Sequence, residues 1–125
     1  MKKFGFVLLY CLWFGLSEAQ VNIVVSLEME LDLHTESDSA RVNTLNALSD
    51  HYQWRDFNRS FLYAEEALQL AEHLSFQKGI ATACFRQAQS YWSRGDSESA
   101  MKKALQAVSI AENEGLATNW PKRIE

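Results

Sequence analysis

The sequence predicts an all-α fold, and three observations carry that prediction. Hydrophobic residues make up 47% of the 125 positions, more than a disordered chain contains. There is a single proline, Pro121, and only five glycines, too few chain-breaking residues for a loop-rich β protein. Apolar residues recur at helical spacing, and that recurrence itself repeats after forty residues. The length allows one small domain.

The first nineteen residues read as a signal peptide. Lys2 and Lys3 precede thirteen uncharged residues, Phe4 to Leu16, and Ser17-Glu18-Ala19 places small residues where signal peptidase cuts. The expected cleavage is after Ala19, giving a secreted or periplasmic chain. Thirteen apolar residues fall short of the roughly 20 that span a bilayer, so no stable membrane span is expected after cleavage. Tyr10 is bulky where lipid attachment at Cys11 requires a small residue. Removing two lysines and one glutamate moves the formal charge from -4 to -5. With no basic stripe, nucleic acid is not an expected partner. Cys84 is then the one remaining cysteine, which excludes an internal disulfide and suits a small core residue.

Two helical segments match at an offset of forty. Ser60, Ala64, Ala67 and Ala71 correspond to Ala100, Ala104, Ala107 and Ala111, one face of a helix on which small side chains admit a close neighbour. Leu68 and Leu70 match Val108 and Ile110 as a second apolar face. Each segment follows another amphipathic one, carrying Val42, Leu45, Leu48, Ser49 and Tyr52 in the first case and Ile80, Cys84, Ala88 and Tyr91 in the second. The joins are Arg55-Asp56 and Arg94-Gly95-Asp96. The latter is also the tripeptide that adhesion proteins offer to integrins. Between two helices, however, Gly95 is placed to take the left-handed residue that ends one helix, and Asp96, like Asp56, to cap the next.

This helix-turn-helix unit resembles the tetratricopeptide repeat, with "QAQSYWSRGDSESAMKKALQAVSIAE" the best copy and Gln87 a departure, since an apolar residue is usual there. The resemblance implies two repeats, at about 38–77 and 78–118, forming an α-α superhelix, with 119–125 the start of a truncated third. A narrower resemblance, to the exported sensory segment of bacterial sensor kinases and regulators built on such repeats, implies a leading helix at about Asn22 to Leu33 within residues 20–37. Ser37 or Asp38 would cap the next helix. It also leaves open a second reading of the chain, as a truncated input domain of a two-component kinase or transcriptional regulator.

Chemistry-bearing motifs are absent: there is no HExxH, CxxC, GxxxxGK[ST], GxSxG or GxGxxG. Only Asp50-His51 sets an acid beside an imidazole, and neighbours in sequence diverge on a helix. The expectation is a non-enzymatic protein with no cofactor and no metal. By the repeat resemblance, the first helix of each unit lines a concave groove for a peptide or protein partner. Its residues would be Asn43, Asn46, Asp50, Gln53 and Trp54 from the first unit and Thr82, Phe85, Arg86, Gln89 and Trp92 from the second. Amides there can donate to and accept from a peptide backbone, and the aromatics supply anchors. Two repeats are fewer than the three or so that stack stably. The face with Met101, Leu105 and Val108 is therefore expected to lack cover, implying self-association, marginal monomer stability or a shortened member of a longer family.

Overall fold

The structure, a computed structural model, describes residues 23–115, so the expected signal peptide and the expected start of a third repeat lie outside the described residues. Among the described residues it is all-α, without a strand. Helix α1 covers 23–33, and it is followed by α2 (Ser39–Tyr52), α3 (Phe57–His73), α4 (Gln77–Ser93) and α5 (Ser97–Asn113). No helix among the described residues is long and apolar enough to cross a membrane.

Local chemistry explains the boundaries. Asp38, Asp56 and Asp96 each stand one residue before a helix and accept the backbone N–H three residues on, from Arg41 (3.1 Å), Arg59 (3.2 Å) and Ser99 (3.1 Å). These bonds satisfy donors that a helix start leaves free. Of the two residues expected to cap α2, Asp38 does so. Helices α3 and α4 share one ending. In α3, Phe76 N–H donates to Ala71 and Ser75 N–H to Glu72; in α4, Asp96 N–H donates to Tyr91 and Gly95 N–H to Trp92. This six-to-one, five-to-two pairing needs a left-handed residue after the helix, supplied by Ser75 (φ 52°) and Gly95 (φ 82°). The end of α2 has no such residue; Asp56 N–H returns to Tyr52 at 2.9 Å, which is why the Arg55-Asp56 turn works without glycine.

Helix α2 packs on α3 and also on α4, α3 packs on α4, and α4 packs on α5. The core runs through Val42 and Leu45 of α2, Ala67, Leu68 and Ala71 of α3, Ile80, Ala83 and Cys84 of α4, and Ala107 of α5. Ala64, Ala67 and Ala71 are wholly buried, so the small-residue face of α3 is where its neighbours come close. The matching face of α5 is less enclosed: Ala100 and Ala107 are buried, Ala104 and Ala111 half-buried. Gly79 marks the closest approach, since a Cβ there would lie 2.7 Å from Val42 Cγ1 and 2.5 Å from the Phe76 ring. Cys84 is a free, buried thiol, as expected of a core residue.

Helix α1 is tied to this stack at its C-terminal end. The Arg41 guanidinium donates to the carbonyls of Leu31 and His34, both at 3.0 Å, filling acceptors that the end of α1 leaves open. The Tyr52 hydroxyl donates to Glu28 at 2.8 Å and its ring stacks on Tyr63 with centroids 5.9 Å apart. Burial, then the Glu28 bond, raises the Tyr52 phenol above its ordinary value.

Candidate functional site

Helices α2 and α4 are in contact, and a charged pair joins them. Arg86 Nη1 donates to Asp50 at 2.8 Å and to Gln89 Oε1 at 3.1 Å, and the Arg86 guanidinium lies over the Phe85 ring at 5.7 Å. An exposed pair of this kind stabilises by about 0–1 kcal/mol. It links side chains thirty-six residues apart in sequence, one on each helix.

The ten residues expected in the groove fall into three groups. Asn43, Asp50, Trp54, Phe85 and Trp92 are exposed, and Thr82, Arg86 and Gln89 are half-buried. Asn46 and Gln53 are buried. The Asn46 amide donates to the Gly79 carbonyl at 3.4 Å, so it joins the two helices from within. Thr82 bonds the Lys78 carbonyl of its own helix at 2.8 Å.

Toward the C-terminal ends of these helices the face opens into a cleft of about 390 Å³. Gln53 and Trp54 contribute from the end of α2, and Ala88, Gln89 and Trp92 from α4. The third wall is α5, through Ser97, Ala100, Met101 and Ala104. Spacings of three, one and three turn one side of α5 toward the cleft. Trp54 is 79% exposed, Trp92 67% and Met101 62%, so three large side chains stand in solvent around a floor of alanine. Solvent-exposed apolar surface concentrated at one concave place marks a binding surface more often than scattered apolar residues do. Sequence reasoning found the two tryptophans and missed α5 as a wall. The signal was available in the uncovered Met101 face, on which Met101 and Leu105 are exposed and Val108 half-buried.

Elsewhere, His34, Glu36 and Asp38 offer ligand atoms within 4.8 Å of one another. Asp38 is committed to the helix start, bonding Arg41 N–H and, at 2.9 Å, His34 Nε2. The Arg41 N–H first and the His34 bond second hold its carboxyl below the usual range. His51 meets the Tyr52 ring edge-on, and no hydrogen-bond partner reaches its Nε2 among the described residues. The Asp50-His51 neighbours therefore do not act as a pair, since Asp50 faces Arg86 instead.

No family model, curated protein or solved structure matches the chain.

Proposed function

We propose that this is an exported, non-enzymatic helical-repeat protein that binds a peptide or an amphipathic helix of a protein partner in the cleft between α2, α4 and α5. The observation that carries the reading is the apolar cleft with Trp54, Trp92 and Met101 exposed at its rim. An amphipathic helix buries an apolar stripe in such a groove, and aromatic side chains dominate the energy of such contacts. The Asp50–Arg86 pair and Gln89, on the same side of α4, add polar groups for a peptide backbone.

The repeat reading belongs to this proposal. Two helix pairs, α2–α3 and α4–α5, each join through an aspartate cap, and α2 also packs on α4. That is the order of neighbours tetratricopeptide-like units adopt when stacked. Export rests on residues 1–19, and the test is the mass of the secreted chain, expected to begin at Gln20. For binding, a displayed random-peptide library panned on the secreted chain should enrich apolar helical sequences. Trp92→Ala or Trp54→Ala should weaken the selected peptides by about tenfold or more. Peptides that bind both variants unchanged would place the interaction elsewhere.

A further inference from the structure

The floor of the cleft carries a polar group that the fold leaves unused. Gln53 is 6% exposed and lines the cleft. Its backbone N–H donates to Asp50, but its side-chain amide takes part in no hydrogen bond among the described residues. The other polar side chains of the cleft are differently placed. Gln89 is half-buried and its Oε1 accepts from Arg86 at 3.1 Å, and Ser97 is exposed. Buried Ala88 and Ala100 complete the floor around Gln53, with Trp54, Trp92 and Met101 exposed at the rim. No residue lining the cleft is charged. A desolvated amide without a partner destabilises the free protein, and a ligand group that satisfies it converts that loss into affinity.

The chemistry of the missing partner follows from that of a carboxamide, which sets an acceptor oxygen beside a donor NH2. A hydroxyl engages one of the two well, whereas a second carboxamide engages both at once. A charged group would be desolvated in a cleft with no charged lining residue to face it. An amphipathic helix has its own backbone N–H and C=O groups paired along the ladder, so in a bound helix the amide must come from a side chain. We infer that Gln53 is the specificity-determining residue of the cleft, and that its partner is an amphipathic helix carrying one Asn or Gln within an otherwise apolar, uncharged stripe. The inference rests on the proposed cleft and names the chemistry of its occupant. Apolar residues of the stripe cover Trp54, Trp92 and Met101, and the partner's carboxamide pairs with that of Gln53, oxygen to NH2 in both directions. The apolar surroundings keep water from competing for the pair. One polar residue within an apolar seam also fixes the register of the contact, as a single buried Asn does in a coiled coil.

Gln53→Met keeps the length of the side chain and removes the amide, which separates binding from folding. It breaks no native hydrogen bond of that amide, so its melting temperature should equal or exceed that of the wild type. Displayed helical peptides with an apolar stripe, each stripe position randomised in turn, are panned on both chains. The wild type should select Asn or Gln at one stripe position, and Gln53→Met should select Leu or Met there. Replacing the selected amide by Leu should weaken binding to the wild type about tenfold or more, and leave binding to Gln53→Met unchanged or tighter. Peptides that lose affinity for Trp92→Ala yet carry an all-apolar stripe, or that bind wild type and Gln53→Met alike, overturn the inference and leave the cleft standing as the site. Peptides indifferent to both Trp54→Ala and Trp92→Ala overturn the cleft reading itself, and the inference with it. A Gln53→Met chain that melts well below the wild type assigns the amide to the fold, and overturns the inference by that route.

Discussion

Ser49 and Ser60 bond each other's backbone. The Ser49 hydroxyl donates to the Ser60 carbonyl and the Ser60 hydroxyl to the Ser49 carbonyl, each at 2.7 Å and fully buried. The Ser90 hydroxyl lies 3.4 Å from that of Ser60, so one serine from each of α2, α3 and α4 meets where the three helices converge. Small hydroxyls permit the close approach that larger side chains would prevent, and they satisfy polar backbone there. The Ser49 carbonyl lies in the last turn of α2, and Gln53 N–H goes to Asp50 instead, at 3.3 Å. Ser60 therefore supplies a donor that the helix itself does not.

The two serines are consequently unequal. Ser60→Ala leaves the Ser49 carbonyl buried without that donor and should destabilise by about 1–3 kcal/mol. Ser49→Ala should cost less, since the Ser60 carbonyl sits inside α3, where the helix ladder provides its own donor. Urea denaturation of both single variants and the double variant measures the order and the coupling. Equal losses that simply add would show that the pair does not act as one unit.

The left-handed turns give a second comparison. A Cβ on Gly95 would meet nothing within 4 Å, so Gly95→Ala tests backbone conformation alone and should cost about 1 kcal/mol. Ser75 already bears that strain at φ 52°, and Ser75→Gly should gain up to about 0.5 kcal/mol, the relief being partly offset by greater freedom in the unfolded chain. Thermal melts that moved in the same direction for both would contradict the shared turn geometry.

Gly79 should invert the usual helix rule. Alanine in a helix interior is ordinarily better than glycine by about 1 kcal/mol. Here the new methyl would overlap Val42, which is fully buried, and the Phe76 ring. Gly79→Ala should destabilise by about 1–3 kcal/mol, as overpacking does. Adding Val42→Ala should recover part of that loss, and two losses that add in full would argue against the clash.

What was legible in the sequence was what neighbours in the chain decide. Asp56, Asp96 and Gly95 announce their turns because a cap and a left-handed residue act over three to five positions. The alanine register of α3 was legible for the same reason. The Arg86–Asp50 pair and the Ser49–Ser60 exchange were not, because each depends on how helices settle against one another. Asn46 shows the limit most clearly. Its polar amide suits a groove, yet it is buried and donates to the Gly79 carbonyl across the α2–α4 contact, whereas Gln53, also buried, lines the cleft. The cleft was half legible: Trp54 and Trp92 follow Tyr52 and Tyr91 within two residues at the ends of the two first helices, while its α5 wall is formed only by packing.

The aspartate caps predict how the protein responds to acid. Asp38 is held below its ordinary value first by the Arg41 N–H and then by His34, and Asp96 by the hydroxyl and N–H of Ser99. A folded-state value below the unfolded one means the ionised carboxylate is favoured in the fold. The stabilisation is then complete above the unfolded carboxylate range and fades as pH falls through the lower folded value. Asp38→Ala and Asp96→Ala should each lower the melting temperature at pH 7, with the gap to wild type closing at acidic pH, from about pH 4 downward. His34→Ala should leave most of the Asp38 effect in place, because the backbone bond is the larger cause. Melting curves in which the gap persists unchanged to pH 2, or in which His34→Ala abolishes it, would assign the effect to something other than the caps.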